Sequence, residues 1–385
     1  MSPSIRFPEF TGEWKEERLS EIADIYKGAG ISKDQLSDNG EPCILYGELY
    51  TKYKTETITE VISRTDIDNT KLVRSKANDV IIPCSGETAE DIATARCVIK
   101  DGILLGGDLN IIRLHNYDGS FVSYQLNGKR KYDIAKVAQG VSVVHLYGEH
   151  LKGVKTVNPC LAEQKKISRF LSLLDERIAV QNRLIEDLKK FKCAIVEKLY
   201  SEIQGKEYSY RQLFEIINER NSRLEYSNVL SASQEKGMVN REDLNLDIKF
   251  ELSNINTYKI VREGDYVIHL RSFQGGFAFS NMVGVCSPAY TIMRPKKLLE
   301  YGYLSYYFTS RKFIKSLIIV TYGIRDGRSI NVDEWLDMKN IIPSKEQQQH
   351  ILRTIKGFEN KIEVEEMYAS CLSKQKQYLL RQMFI

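Results

Sequence analysis

The sequence predicts an α+β protein in which two related globular bodies are separated by two long antiparallel helices. Three observations lead to this fold class. The segment His145–Tyr200 recurs without a gap as Ser329–Phe384, each copy carries apolar residues at a helical period, and strand-like runs precede each copy. A repeat of this length indicates that one structural unit occurs twice. We therefore expect two pseudo-twofold related α/β domains separated by an antiparallel coiled coil.

The repeated segments are predicted to form the coiled coil. Their apolar residues recur about every 3.5 residues, the spacing at which two helices pack along a seam. Both copies interrupt this seam at the same places, because Gln181 matches Glu365 and Lys192 matches Lys376. Shared interruptions indicate duplication more strongly than shared leucines do. The predicted seam residues are Ile167, Leu171, Leu174, Ile178, Gln181, Ile185, Leu188, Ile351, Ile355, Phe358, Ile362, Glu365 and Leu372.

The segments between the helices are predicted to be α+β bodies rather than linkers. Runs such as "DVIIP", "NIIRL", "DYVIHL" and "SLIIVTYG" are bounded by Gly, Asn and Asp, as strands are. Each half is expected to begin with a short lead-in helix, because Trp14–Ile25 and Tyr208–Glu219 match each other. The predicted bodies are residues 1–157 and 205–342, and the predicted spacer helices are residues 158–204 and 343–385.

Composition is that of a soluble globular protein and says little about partners. Apolar residues make up 42% and charged residues 28% of the chain, so cores can form. The net charge of +4 permits nucleic-acid binding, since a local basic face can exist within a near-neutral total. No cysteine lies at metal-ligand spacing from another, which predicts reduced cysteines and no metal site. With no signal peptide or membrane-spanning run recognisable, we expect a cytoplasmic protein.

No motif predicts catalysis by this chain. The stretch "KGAGISK" (Lys27–Lys33) lacks the spacing of a phosphate-binding loop, and we interpret it as a Gly-rich turn after a helix. The Asn-Pro-Pro-aromatic and Asp-Pro-Pro-aromatic boxes of adenine methylation are absent, as is a helicase box. Ser85 in "SGET" has no histidine at motif spacing. We therefore predict a non-catalytic chain with no cofactor of its own.

Four stretches combine basic, aromatic and glycine residues in a way that suits contacts with DNA: residues 46–57, 127–133, 270–277 and 321–330. Lys and Arg neutralise phosphates, while Arg, Gln and Ser can reach base edges. A plain solvated turn is the competing interpretation of each stretch. Two dissimilar bodies at a fixed separation would suit two short sequences along one duplex. The candidate DNA-binding residues are Lys52, Lys54, Ser85, Lys129, Arg130, Lys131, Arg271, Ser272, Gln274, Tyr322, Arg325 and Arg328.

The order of these segments resembles the DNA-specificity (S) subunit of type I restriction–modification enzymes. The resemblance covers essentially the whole chain. It rests on the lead-in "RFPEFTGEWKEERLSEI" and on a proline followed by a Glu-Gln-rich helix start, which occurs twice. The first copy has Pro159, Glu163 and Gln164, and the second has Pro343, Glu346, Gln347 and Gln348. The Glu-Gln dipeptide of the second copy lies one place earlier relative to its proline.

The resemblance implies a DNA-binding subunit of a phage-defence system that recognises a bipartite target. Each body would be a target-recognition domain for one half-site, and the helices would set the gap between the halves. Two methyltransferase (M) subunits would dock on the helices, and restriction (R) subunits would join them. S-adenosylmethionine, ATP and magnesium would be bound by those partners. The M-docking surface would include apolar helix residues outside the seam, namely Phe170, Leu184, Phe191 and Tyr368.

Two other classes of function stay open at this point. One is a coiled-coil adaptor whose bodies bind another protein or RNA, and the other is a standalone nuclease with an unrecognised site. Co-purification separates them. A specificity subunit should capture a methyltransferase and bind duplex DNA far better with it, whereas a nuclease should cut DNA alone with magnesium.

Replacing both Gln181 and Glu365 by leucine is expected to raise the melting temperature while loosening the register of the helices. In a fully overlapped antiparallel pair these residues meet at the helix midpoints, where a polar pair costs stability but penalises slipped pairings. The competing interpretation is that both face solvent. Thermal melting of the double variant tests the idea, and a lower melting temperature would contradict it.

Overall fold

The computed structural model describes residues 2–68, 70–140, 143–233, 236–244, 252–269, 276–322 and 329–385. The chain divides into two compact units. Unit 1 comprises residues 1–183 and 366–385, and unit 2 comprises residues 184–365. Each unit therefore contains one globular body together with part of each long helix. Within the described residues, no helix is both long and apolar enough to cross a membrane.

Unit 1 is a mixed α/β body followed by a long helix. Its strands are β1 (Lys15–Arg18), β2 (Ala23–Lys27), β3 (Glu41–Ile44), β4 (Thr57–Ile58), β5 (Ser63–Thr65), β6 (Val73–Arg74), β7 (Asp79–Pro83), β8 (Ser85–Gly86), β9 (Arg96–Val98), β10 (Leu104–Leu105), β11 (Leu109–Leu114), β12 (Val144–His145) and β13 (Lys155–Asn158). Its helices are α1 (Leu19–Ile22), α2 (Glu48–Thr51), α3 (Ala89–Ile92), α4 (Gly119–Asn127), α5 (Lys131–Val137), α6 (Gly148–Lys152) and the start of α7 (Leu161–Ser201).

Unit 2 repeats this plan after the end of α7. Its strands are β14 (Lys206–Ser209), β15 (Phe214–Ile217), β16 (Leu230–Ser233), β17 (Gly237–Asn240), β18 (Lys259–Val261), β19 (Tyr266–Ile268), β20 (Phe277–Phe279), β21 (Gly284–Cys286), β22 (Thr291–Pro295), β23 (Thr321–Tyr322), β24 (Ser329–Ile330) and β25 (Lys339–Ile342). Its helices are α8 (Tyr210–Leu213), α9 (Tyr303–Tyr307), α10 (Arg311–Ser316), α11 (Val332–Asp337) and the start of α12 (Lys345–Met383).

The two bodies share the order of strands in their main sheets. In unit 1 the five-stranded sheet has the order β2-β11-β7-β9-β4, and in unit 2 the four-stranded sheet has the order β15-β22-β19-β20. Each body also has an antiparallel pair that joins its first strand to the strand before the long helix, β1 with β13 and β14 with β25. This agreement confirms the predicted α/β class.

The predicted lead-in helices are wrong for most of their length. In both halves the segment starts as a strand, makes one helical turn and continues as a second strand. Only α1 and α8, of four residues each, are helical. The paired apolar residues, such as Leu19 and Ile22, do fit one buried turn. The flanking residues instead form strand ladders, because pairing with β11, β13, β22 and β25 satisfies their backbone groups.

The repeated proline and glutamine have the same structural role in both units. The amide nitrogen of Gln164 donates to the carbonyl oxygen of Pro159 at 2.8 Å, and its oxygen accepts from the backbone N–H of Asp118 at 2.9 Å. Gln348 bonds likewise to the carbonyl oxygen of Pro343, at 3.1 Å, and to the backbone N–H of Glu300, at 2.8 Å. Both glutamines are buried. Gln348 is therefore the counterpart of Gln164, although the preceding Glu-Gln dipeptide is displaced.

Within each unit the two long helices run antiparallel. In unit 1 the early residues Ile167 and Leu171 share a core with Met383 and Phe384, whereas the later Arg177 contacts Tyr368. In unit 2 Lys192 bonds to Glu359, and Val196, further along α7, shares a core with the earlier residues of α12. In both units, residues further along α7 therefore contact residues earlier in α12.

The described burial agrees with the position of the predicted seam. Every residue predicted for it is buried or half-buried. Gln181 is 7% exposed, and the Glu365 side chain is 13% exposed and forms a salt bridge with Lys361. Solvent-facing positions for these two residues are therefore excluded. Their direct contact stays a prediction.

A buried lysine fastens the body of unit 1 to both of its helices. The Lys376 ammonium in α12 donates to Asp175 in α7 at 2.6 Å and to Glu56 of the body at 2.7 Å. The Tyr124 hydroxyl in α4 donates to the other oxygen of Asp175 at 2.6 Å. Burial, followed by the Glu56 charge, raises the pKa of Asp175. Although burial opposes the charged form of Lys376, Glu56 and Asp175 raise the pKa of its ammonium.

Replacing Lys376 by methionine is expected to destabilise unit 1 by about 3 kcal/mol, because it removes the ammonium to which two buried carboxylates bond. Hydrogen exchange of the α4 amides measures this loss for unit 1 alone. The deficit should shrink towards about pH 4.5, since unpaired carboxylates can then take up protons in the folded state. Lys374→Met, at an exposed position of the same helix, is the control. An equal effect of both substitutions would contradict a role for the buried charge.

Candidate nucleic-acid interface

The body of unit 1 has an open cavity of about 850 Å³ where two glycine-containing loops meet α2. Its lining includes Lys33, Tyr46, Tyr50 and Lys52. The loop that follows β2 brings Lys33 to this site, so "KGAGISK" follows a strand and not the predicted helix. Gly28 permits this arrangement, because a Cβ there would overlap the carbonyl oxygen of Gly106. The cavity thus joins two stretches that the sequence analysis had considered separately.

Lys52 has an internal partner at the rim of this cavity. Its ammonium donates to the Glu48 carboxylate at 2.6 Å and to the Ser63 hydroxyl at 2.9 Å. Glu48 is only 5% exposed and also accepts from the backbone N–H of Leu45 at 3.0 Å. A carboxylate buried in this way needs a positive partner. The structure therefore gives Lys52 a role in the body itself, and its predicted DNA contact is untested.

The other basic candidates of unit 1 are distributed among three places. Lys54 is exposed after α2, and Ser85 is half-buried in β8, which pairs with β12. Lys129 is exposed in the turn between α4 and α5, and Lys131, the first residue of α5, is half-buried. Arg130 between them donates to the carbonyl oxygen of Ile385 at 3.3 Å. Its guanidinium thus holds the last residue of the chain, a role that the sequence pattern did not indicate.

Most candidates of unit 2 lie outside the described residues. These are Arg271, Ser272, Gln274, Arg325 and Arg328. The strands on either side of the two segments are described: β19 pairs antiparallel with β20, and β23 with β24. Tyr322 belongs to β23, where its backbone pairs with Ser329. The assignment of these residues to DNA binding stays a prediction.

Both units expose large apolar residues on the long helices. In unit 1 Phe170 is 39% and Tyr368 is 37% exposed, and in unit 2 Leu184 is 42% and Phe191 is 54% exposed. These are the four residues predicted to lie outside the seam. The long helices expose a further set of apolar residues that was not predicted: Leu173, Val180, Val364, Met367 and Tyr378. Their spacing along the helix could have identified them, because they fall between the seam positions.

Among the described residues, no group of His, Cys, Asp and Glu side chains could hold a metal ion. Four buried carboxylates among the described residues bond to a lysine or an arginine: Asp175, Glu56, Asp79 and Asp265. Their chemistry is that of structural ion pairs. The cavity of unit 1 is lined instead by lysines, tyrosines and loop backbone, which suit the binding of a ligand.

Comparison with known proteins places this architecture in a family. Residues 11–190 match the family model of the type I restriction modification DNA specificity domain. The specificity subunit of the type I restriction enzyme MjaVIII from Methanocaldococcus jannaschii is 22% identical, over 98% of this chain and 92% of that protein.

Two solved structures have the same fold. The type I restriction-modification S subunit from M. genitalium aligns with a TM-score of 0.56 and 14% identity, over 100% of this chain and 99% of that one. A chain from a study of complex assembly and conformational transition of the type I R-M system aligns with a TM-score of 0.62 and 13% identity, over 98% of each chain. The duplicated bodies, the two long helices and these matches agree: residues 11–190 match the type I restriction modification DNA specificity domain, and nearly the whole chain is similar to type I specificity subunits.

Proposed function

We propose that each body reads one half of a bipartite DNA target and that the long helices set the gap between the halves. The observation that carries this proposal is the duplication of a whole body together with its attachment to the helices. In both units a buried glutamine bonds to the proline before the helix, and a lysine in one helix bonds to a carboxylate in the other. Two bodies held by the same contacts, yet differing in their loops, suit two different half-sites.

A second conserved element of the bodies lies behind the loops. Asp79 forms a two-contact ion pair with Arg113 at 3.0 and 2.8 Å, and Asp265 forms the same pair with Arg294 at 2.9 and 2.9 Å. Both aspartates are buried; Asp79 begins β7 and Asp265 directly precedes β19, and each of these strands lies in the interior of its sheet. Two parallel hydrogen bonds between one guanidinium and one carboxylate hold the strand ends in place. We infer that they hold a common sheet from which the variable loops project towards DNA.

The exposed apolar residues of the helices are the proposed docking surface for methyltransferase subunits. Apolar side chains that remain exposed on a helix indicate a partner when they are contiguous. Phe170 packs edge-on against Phe7 at 5.9 Å, and Phe191 against Phe358 at 5.5 Å, so both rings have fixed positions. Fixed aromatic rings lose little entropy on binding. Two methyltransferase subunits, one for each unit, would fit this duplication.

The remaining assignments follow from the family. Restriction subunits would join the complex of specificity and methyltransferase subunits. S-adenosylmethionine, ATP and magnesium would be bound by those partners, and this chain would contribute no catalytic group. The complex would act on DNA in the cytoplasm. Co-expression with the cognate methyltransferase, followed by purification, tests the first step, and recovery of the chain without it would contradict the proposal.

Inserting one heptad beside Gln181 and another beside Glu365 is expected to lengthen the gap of the recognised site by about three base pairs. Seven helical residues add about 10.5 Å, and the base-pair rise is about 3.4 Å. Sequencing of methylated sites in cells that express the variant with its methyltransferase measures the gap. In a control variant, the existing seven residues beside Gln181 and beside Glu365 are replaced by the same heptads, so that the helix length is unchanged. This variant should keep the original gap. An unchanged gap in the insertion variant would rule out the spacer role.

Alanine substitutions at Arg271, Gln274, Arg325 and Arg328 are expected to weaken or relax only one half-site. Each lost base contact should cost about 1–3 kcal/mol. Binding to duplexes mutated in either half distinguishes the halves. Lys54→Ala in the other body is the reciprocal control, since any effect should fall on the opposite half-site. Loss of both half-sites in one variant would mean that the bodies do not read them separately.

A further inference from the structure

Unit 2 contains a lysine, carboxylate and tyrosine arrangement that matches the one in unit 1. Lys192 in α7 donates to Glu359 in α12 at 3.2 Å, and the Tyr306 hydroxyl in α9 donates to the other oxygen of Glu359 at 2.6 Å. These residues correspond to Lys376, Asp175 and Tyr124 of unit 1, with the two long helices exchanged. The duplication has therefore kept a positive charge at the junction of body and helices in both units.

The fourth member of the arrangement differs in charge. In unit 1 Glu56 directly precedes β4, which pairs with β9, and its carboxylate binds Lys376. In unit 2 Lys236 directly precedes β17, which lies beside β20, the counterpart of β9. A lysine thus takes the place in the topology where unit 1 has its second carboxylate. Unit 1 supplies its own anion at this junction, and unit 2 places a second cation there.

The junction in unit 2 is more exposed than that of unit 1: the side chains of Lys192 and Glu359 are 28% and 37% exposed, against 15% and 7% for Lys376 and Asp175. A cavity of about 360 Å³ is lined by Lys192, Lys236, Lys356 and Glu359. Of the described lining residues, these three lysines and one glutamate are the charged ones, so positive charge is in excess. Lys356 has no counterpart charge in unit 1, because the matching position in the repeat is Ser172. The volume is within the range of small-ligand sites.

Aromatic side chains and glycine backbone also line this cavity. Phe279 and Tyr301 pack edge-on at 5.1 Å, and Tyr306 lies beside them in the lining. Gly237 and Gly302, with positive φ of 73° and 75°, also line the cavity. Ammonium groups around an opening next to aromatic rings are the features that bind phosphate and a planar ring.

We propose that this cavity binds a phosphate group, which takes the place that Glu56 occupies at the corresponding junction of unit 1. The phosphate could belong to a small ligand such as a nucleoside monophosphate or to the backbone of bound DNA. The chemistry is the same in both cases: ammonium groups of Lys236 and Lys356 face the anion, while Lys192 remains shared with Glu359. The second source rests on the proposed function, and the first does not.

The test is isothermal titration of the full chain with inorganic phosphate and with AMP, at constant ionic strength made up with chloride. Lys236→Gln and Lys356→Gln should each weaken binding roughly threefold, the size of one partly exposed charge contact. Glu359→Gln should strengthen binding, because it removes the single negative charge of the described lining. Lys297→Gln, at an exposed position of the same unit outside the cavity, should have no effect. Melting temperatures of all variants identify any that fail to fold.

A second arm distinguishes the source of the phosphate. The chain with its methyltransferase is titrated with duplex DNA at several salt concentrations. If DNA supplies the phosphate, Lys356→Gln should reduce the salt slope by about one, while AMP shows no saturable binding. If a free ligand supplies it, AMP binds and the slope is unchanged. Binding of neither, or binding insensitive to Lys236 and Lys356, would overturn the proposal. Phosphate binding in a chain that directs no methylation would leave it standing.

Discussion

The attachment of each body to its helices depends on a charged lysine placed within a largely apolar seam. A lysine in the middle of a helix interface is costly unless carboxylates compensate it. In unit 1 the compensation comes from Asp175 on the partner helix and Glu56 on the body, and Tyr124 restrains the aspartate. Because these partners come from three different elements, the lysine is satisfied only when body and both helices are assembled in one register.

This requirement explains why the sequence repeats its interruptions as well as its apolar residues. Leucine at Lys376 or Lys192 would pack in the seam but would remove the ion pair with Asp175 or Glu359. Apolar seams alone tolerate slipped pairings, whereas a buried charge accepts only one partner position. The hydrogen bonds of Gln164 and Gln348 at the helix starts act in the same sense, since they fix where each helix leaves its body.

Periodicity and the internal repeat predicted two long helices, which the structure has as α7 and α12, because these patterns depend on neighbours in the chain. The lead-in segments were predicted wrongly, since strand pairing with β13 and β25, more than a hundred residues away, decided their structure. For the same reason, the sequence indicated Lys52 and Arg130 only as candidate DNA-binding residues. Their partners Glu48 and Ile385 become visible only when the chain has folded. Side chains whose role depends on such distant or buried partners cannot be assigned from local composition.

The contacts that attach each body to the helices are largely distinct from the loops proposed to reach DNA, so the target can change while the attachment is kept. The contacts that hold a body are made by the central strands, the helix starts and the seam lysines, and apart from Glu56 and Arg130 they use no residue of the stretches proposed to reach DNA. A loop substitution therefore leaves Asp79–Arg113 and Asp265–Arg294 intact, and stability and specificity can vary independently. The two junctions between body and helices also differ, in the charge of their fourth residue. Once Lys376 or Lys192 has its carboxylate and tyrosine partners, the fourth position can carry either sign, provided that an anion is available where the second lysine stands.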